Sequence, residues 1–331
     1  MAQEKILITG ASGFIGSFIV EEALARGMEV WAAVRSTSSR QYIRDGRIHI
    51  IELDLSAPRQ LELALKGRRF DYVVHAAGAT KALRDDTFFA VNTVGTMNIV
   101  RALEATSPSL KRLVFISSLS VFGPVRETLP YSSIVDTDSP RPNTAYGMSK
   151  LQAERWLEGC ARLPFTILRP TGVYGPREKD YMMMVDSIRH GVDVAVGYHR
   201  QDITFVYVRD VVQAVFASMK SEKTVGKAYF LTDGGVYTSR TFSDLIIKAL
   251  RKRNVLRLRL PLFALRMVCA LSSVYSRITG RLTTLNSDHY RILAQRNWRC
   301  DITPAQRDFG YSPEWGLERG VAEVVSTMEG Q

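Results

Sequence analysis

Tyr146-Gly-Met-Ser-Lys150 places a phenol and an ammonium four residues apart. On a helix that spacing puts both side chains on one face. A free tyrosine titrates near about 10 and is a poor base at neutral pH. A neighbouring ammonium stabilises the phenolate, so Lys150 is expected to lower that value and make Tyr146 a usable acid and base. About thirty residues earlier stands Ser117-Ser118-Leu119-Ser120. A serine hydroxyl opposite the phenol would hydrogen-bond a substrate oxygen and steady the charge developing there. Each pattern alone arises by chance, and the plain alternative is a helix-surface tyrosine beside a solvated lysine. What precedes them gives them weight.

Near the start of the chain, Lys5-Ile-Leu-Ile-Thr9 is a β-branched apolar run that predicts a buried strand. Thr9-Gly10-Ala11-Ser12-Gly13-Phe14-Ile15-Gly16 follows, and apolar residues then recur at helical spacing to Gly27. Strand, glycine turn and helix in this order suit a dinucleotide: Gly10 for the turn, Gly13 for the approach of a pyrophosphate, Gly16 for close helix–strand packing. The phosphates would lie on the helix N-terminus beside Ser12, Phe14 and Ile15, where open N–H groups and the dipole favour an anion. The alternative is an ordinary tight turn.

The elements that must position these groups read as alternating strands and helices. Glu29–Val34 is a second strand and ends at Arg35-Ser36-Thr37-Ser38-Ser39-Arg40. An acid at that point binds the ribose hydroxyl of NAD. Arg35, Ser36 and Arg40 would instead hold a 2′-phosphate, which favours NADP(H), with NAD(H) as the second choice. The alternative is a solvated loop arginine. Ile48–Leu53 is a third strand, with Asp54-Leu55 placed to touch adenine. Tyr72–His75 is a fourth, leading into Ala76-Ala77-Gly78, small enough for a cofactor to lie close. A long helix is expected from Asp86 to Thr106, carrying Asn92 and Gly95. Leu113–Ser117 is a fifth strand, 142–162 holds a helix, and Phe165–Leu168 is a sixth strand. This rhythm predicts a parallel sheet covered on both faces.

Composition fits a globular chain of one large or two medium domains: 331 residues, 46% apolar and 23% charged. Cys160, Cys269 and Cys300 are far apart, with no C-x-x-C, and read as reduced thiols of a cytoplasmic protein. No metal site is expected. The N-terminus runs at once into the first strand, so no signal peptide is expected, and no apolar run reaches a membrane span. The net charge of +11 is concentrated. From Leu245 to Ser287 there is no acid, while Lys248, Arg251, Lys252, Arg253, Arg257, Arg259, Arg266, Arg277 and Arg281 are basic. Within this run Leu260–Ile278 reads as an apolar helix opened by Pro261. Its composition suits either a surface lying on anionic lipid, around 251–281, or a core helix with solvated arginines beside it. Nucleic acid is disfavoured, since no motif of that kind accompanies the charge.

T-G-A-S-G-F-I-G (9–16), H-A-A-G (75–78), V-N-T-V-G-T (91–96), S-S-L-S-V-F-G (117–123), Y-G-M-S-K (146–150), L-R-P-T-G-V-Y-G-P (168–176) and F-V-Y-V-R-D-V (205–211) come in one order. The chain resembles an extended short-chain dehydrogenase/reductase, the superfamily of nucleotide-sugar epimerases, 3β-hydroxysteroid dehydrogenases and dihydroflavonol reductases. The resemblance runs through two thirds of the chain, and C-D-I-T-P-A-Q-R-D-F-G-Y-S-P (300–313) fits it as well.

The resemblance implies a Rossmann doubly wound parallel sheet with a smaller C-terminal α/β substrate lobe. The nucleotide domain would take 1–170, with 204–235 returning to it, and the lobe 171–203 and 236–331. By the same resemblance Ser118 is the catalytic serine with Ser120 as fallback, Tyr146 the acid/base and Lys150 its partner. The glycine turn, Asp54-Leu55, Ala76–Gly78, Tyr146, Lys150 and Pro170 would hold the cofactor. Such proteins also often dimerise through the helices holding Asn92 and Tyr146. Nucleotide-sugar enzymes carry an acid after the second strand and an asparagine before Val-Tyr-Gly-Pro; here Arg35 and Gly172 stand instead. Dehydratases place Asp-Glu after the catalytic hydroxyl residue, where this chain has Leu119-Ser120. Reduction of a ketone on a hydrophobic or lipid-like small molecule, such as a 3-keto sphingoid base or a hydroxysteroid-like compound, is therefore the expected activity. The alternatives are a nucleotide-sugar epimerase with bound NAD and a non-catalytic redox sensor on the same fold.

Overall fold

The computed structural model describes residues 3–279, 283 and 287–329; Arg281 of the basic run lies outside them, as does the side chain of Arg277. Strands follow in chain order as β1 (Lys5–Thr9), β2 (Glu29–Val34), β3 (His49–Glu52), β4 (Tyr72–His75), β5 (Arg112–Ile116), β6 (Phe165–Pro170), β7 (Gly172–Tyr174), β8 (Val192–Val196), β9 (Phe205–Tyr207), β10 (Lys227–Leu231) and β11 (Leu256–Leu260). Seven of them make one sheet in the order β10-β6-β5-β4-β1-β2-β3. Every neighbouring pair in it is parallel. This is the expected α/β doubly wound sheet.

Period-two alternation divides the strand side chains between two cores. Ile6 and Ile8 pack with the helices Phe14–Ala25 and Val208–Lys220 on one face. Leu7, between them, packs with Leu61, Ile99, Leu103 and Leu157 from helices on the other face. Both faces are thus buried, which is why the strands read as continuous apolar runs. The chain winds from β1 outward to β3, then crosses back to place β4 on the other side of β1. At that reversal the C-terminal ends of β1 and β4 open a crevice, where ligands bind in such sheets.

Two elements depart from their sequence expectations. The helix expected over Asp86–Thr106 begins at Asp85 and widens into a π-helical turn at Phe89–Val94 before continuing as Gly95–Thr106. Such turns redirect a side chain within an otherwise regular helix, and this one carries Asn92. The apolar helix runs Leu262–Thr279 and is preceded by β11, which pairs with β8 in a separate two-stranded sheet. At the far end, the helix Leu317–Glu329 buries Leu317, Val321, Val324 and Val325 in the same core as Ile6 and Ile8. This helix therefore packs on the same face of the sheet as the helices Phe14–Ala25 and Val208–Lys220.

Candidate active site

Gly10 follows β1 with φ +69°, and a Cβ there would meet Ala77 N at 2.7 Å and Ala76 C and O at 2.8 Å. Only glycine lets the turn after β1 lie against the turn after β4. A Cβ on Gly16 would strike the Gly10 carbonyl oxygen, so the first helix turn presses on the strand end. Gly13 is the N-cap of helix Phe14–Ala25 and contributes no side-chain hydrogen bond. The N–H groups of the first turn, at Phe14 and Ile15, are left open for an anion beside half-buried Ser12. These features fit a dinucleotide pyrophosphate.

Along the crevice the other expected contacts are spread out. Arg35 and Ser36 are exposed just beyond β2, with Arg35 N donating to Ser38 Oγ at 3.2 Å. Arg40 is already engaged: its guanidinium donates to Glu52 Oε1 at 2.7 Å. Arg35, unlike Arg40, makes no ion pair among the described residues. Asp54 is exposed and accepts from Ser56 N at 2.9 Å and Ser56 Oγ at 2.7 Å, which holds its carboxyl below the usual range. Leu55 is fixed from beneath, its carbonyl accepting from Asn98 Nδ2 at 2.9 Å. Ala76, Ala77 and Gly78 line the rim after β4, and Pro170 is buried at the end of β6.

Ser118 is the extended residue just past β5, and its Oγ accepts from Ser120 N at 3.1 Å, capping the turn Leu119–Val121. Ser120 therefore meets Ser118 through its backbone. Tyr146 is the second residue of helix Ala145–Cys160. Thr144 caps that helix by accepting from Gly147 N at 3.0 Å. Asp288, far along the chain, adds a carboxylate oxygen 2.9 Å from Ala145 N and 3.4 Å from Tyr146 N. The half-buried Tyr146 ring packs edge-on to Phe88, and its hydroxyl hydrogen-bonds with Ser118.

The electrostatics reverse one expectation. Burial pushes the Tyr146 phenol up to about 12, against a smaller downward pull from the Ser118 hydrogen bond. Lys150 does not lower it. The Lys150 ammonium is turned beneath β5, where it donates to the Ile116 carbonyl at 2.8 Å. Burial brings Lys150 down to about 8, while Glu154, one turn on, pulls it back up. Glu154 is 1% exposed and is gripped by Arg169, with nitrogen–oxygen distances of 3.1, 3.1 and 2.6 Å. At neutral pH the arrangement is a protonated phenol with an ammonium deeper in the wall. A Cβ on Gly78 would meet Lys150 Nζ and Asn92 Oδ1 at 3.2 Å each, so the crevice floor is open only because glycine is there.

Asn92 and His75 tie these parts together. Asn92 Oδ1 accepts from Ala79 N at 2.7 Å, and its Nδ2 donates to Ala79 O and Ser149 Oγ at 3.0 Å. The loop after β4 is thereby fixed to the helix of Tyr146. His75 is fully buried and lies 2.7 Å from Thr9 Oγ1 through Nδ1 and 2.9 Å from Thr96 Oγ1 through Nε2. Thr96 donates its own proton to Asn92 O at 2.6 Å, so it must accept from His75 Nε2–H. Nδ1 then accepts from Thr9, whose oxygen accepts from Ala77 N at 3.3 Å. Burial, with the nearby Lys150 charge, holds His75 neutral by lowering it to about 3. Sequence reading placed Asn92 on a helix and His75 on a strand but missed both roles, because the π turn that aims Asn92 has no local signature. Glu154 carried one signal, its position four residues after Lys150. Asp288 carried none near the helix it caps. Among the described residues no acid, histidine and cysteine cluster could hold a metal ion.

The model of the family described as "NAD dependent epimerase/dehydratase family" matches residues 6–231. A UDP-glucose 4-epimerase from Vibrio cholerae is 27% identical over 98% of this chain and 95% of that protein. A 2-alkyl-3-oxoalkanoate reductase from Stenotrophomonas maltophilia is 26% identical over 98% of this chain and 99% of that protein. Among solved structures, a UDP-glucose 4-epimerase from Thermotoga maritima, determined with UDP-glucose, superposes with a TM-score of 0.79 at 21% identity, covering 98% of this chain and 99% of that one.

Proposed function

The chain belongs to the NAD-dependent epimerase/dehydratase family and is an enzyme of the extended short-chain dehydrogenase/reductase type; from that premise we propose that it reduces a ketone on a hydrophobic or lipid-like small molecule, with NADP(H) preferred over NAD(H). The observation that carries this reading is the end of β2. Exposed Arg35 stands where a carboxylate would hold the ribose of a retained NAD. A 2′-phosphate meets a guanidinium and the Ser36 hydroxyl there, and a cofactor that leaves after each turnover suits net reduction. The relative named as a 2-alkyl-3-oxoalkanoate reductase, aligned along nearly its whole length, supports the same substrate class.

The residues divide the work as follows. Gly10, Gly13 and Gly16 with the helix N-terminus would hold the pyrophosphate, and Ala76–Gly78, Lys150 and Pro170 the nicotinamide half. When bound, the reduced nicotinamide supplies the hydride. Ser118 hydrogen-bonds the carbonyl oxygen, and Tyr146, protonated at neutral pH, donates its proton there as the alcohol forms. The Lys150 ammonium would hold the ribose hydroxyls of the bound cofactor, and the Ser118 hydrogen bond eases the phenolate left behind. Asn92 and His75 keep the two walls of the crevice in register.

The second reading is a nucleotide-sugar epimerase on bound NAD, favoured by the relative from Vibrio cholerae. Pairing of two copies through the helices holding Asn92 and Tyr146 belongs to the proposal and is read by sedimentation. The functional test is steady-state oxidation of NADPH and NADH with long-chain 3-ketones and ketosteroids, beside Arg35→Asp. Wild type should favour NADPH and Arg35→Asp should reverse that preference. Equal use of both cofactors by both proteins would overturn the role of Arg35.

A further inference from the structure

Helix Leu262–Thr279 turns only part of its surface inward: Leu265 and Cys269 are 2% and 1% exposed. Phe263, Met267, Leu271, Val274 and Ile278 are 74%, 61%, 67%, 53% and 79% exposed. Their steps of four, four, three and four residues set them in one stripe along the helix. At 18 residues the helix is about 27 Å long. Among the described residues no helix is long and apolar enough to cross a membrane.

The charge around this stripe has one sign. No acid occurs from Leu245 to Ser287. Arg251, Lys252, Arg253, Arg257, Arg259 and Arg266 are exposed. Of these, Arg257 pairs with Asp244 at 2.7 Å, while the other five make no ion pair among the described residues. β11 adds Leu256 and Leu258, 61% and 46% exposed, beside Val194 on β8 at 48%. Arg259 also lies over the Tyr198 ring, 5.5 Å from its centroid. An apolar stripe bordered by exposed cations on long, flexible stems is complementary to an anionic lipid surface: the cations meet headgroups and the stripe enters the acyl boundary.

We propose that Leu256–Thr279 docks this protein on an anionic membrane surface, with the helix in the plane of the interface. The docked segment is one helix away from the site. Helix Ser287–Ala294 packs against it, and Asp288 of that helix holds the N-terminal N–H groups of the helix bearing Tyr146. This docking does not depend on which substrate the site takes.

The test is co-sedimentation of the full chain with phosphatidylcholine vesicles and with vesicles containing about a third phosphatidylserine. Two double variants are compared: Phe263→Asp/Leu271→Asp, and Arg253→Glu/Arg259→Glu. Binding should appear with the anionic vesicles alone, weaken with salt, and fall about tenfold or more in each variant while melting temperature and NADPH binding stay unchanged. Absence of binding to anionic vesicles would overturn the proposal. So would binding that neither variant weakens. A wild-type dimer that ignores vesicles and that Phe263→Asp/Leu271→Asp splits would assign the stripe to a second copy instead.

Discussion

The crevice around Tyr146 and the outer face of helix Leu262–Thr279 are opposites in how they treat polar and apolar atoms. In the crevice wall a histidine, an asparagine, two threonines and a lysine are almost wholly buried, and each has a defined partner. On the helix, large apolar side chains lie open to solvent, and of the exposed cations over 251–266 only Arg257 makes an ion pair among the described residues. Buried polar groups persist when a network satisfies them, and their rigidity positions chemistry. Exposed apolar groups beside one sign of charge persist when something outside the chain covers them. The two regions therefore answer to different environments, and the same substitutions should act differently in each.

The largest effect belongs to the crevice. Tyr146→Phe should lower kcat for ketone reduction by about 10²–10⁴-fold, with cofactor binding retained as read by NADPH fluorescence. Retained turnover would move the proton donor elsewhere. Next comes packing. Leu113→Ala, fully buried in β5, should destabilise by about 2–5 kcal/mol in urea unfolding, whereas Leu271→Ala should change stability by less than about 0.5 kcal/mol. Similar losses at both would mean that the helix face is covered within the chain.

Protonation sharpens the contrast further. His75 is lowered to about 3 in the folded protein, below its ordinary value, so the unfolded chain binds the extra proton first. Its contribution is fully present above about 6.5 and is lost as pH falls, by up to about 1.4 kcal/mol per pH unit. His75→Gln, compared with wild type by urea unfolding at neutral and mildly acidic pH, should flatten that slope. The smallest effect is on activity. Lys150 titrates near about 8, and reduction needs its ammonium, so kcat/KM should decline as pH rises through that value. A profile flat to beyond pH about 10 would show that reduction does not need the Lys150 ammonium.

Legibility in the sequence follows the range of the interactions. β1, β2 and β4 were readable to the residue, because strands buried on both faces need unbroken apolar runs such as Lys5–Thr9 and Tyr72–His75. The glycine turn and the Tyr146–Lys150 pair were readable because short, fixed spacings set their geometry. The direction of the Tyr146 shift was not, since burial outweighs the charge that spacing suggests. Nor was the Asp288 cap, which joins residues more than 140 positions apart. The fate of 251–279 was ambiguous for a physical reason. Periodicity shows that a helix has an apolar stripe, but not whether protein or an outside phase covers it.

The central claim is net reduction of a ketone, and transfer of label tests it most directly. NADPH deuterated at the transferring position of the nicotinamide would be mixed with a long-chain 2-alkyl-3-ketone and wild-type protein, with Tyr146→Phe alongside. The account predicts deuterium on the carbinol carbon of the product with wild type and almost none with the variant. An unlabelled ketone, together with conversion of a UDP-hexose to its 4-epimer without added cofactor, would contradict it and leave the epimerase.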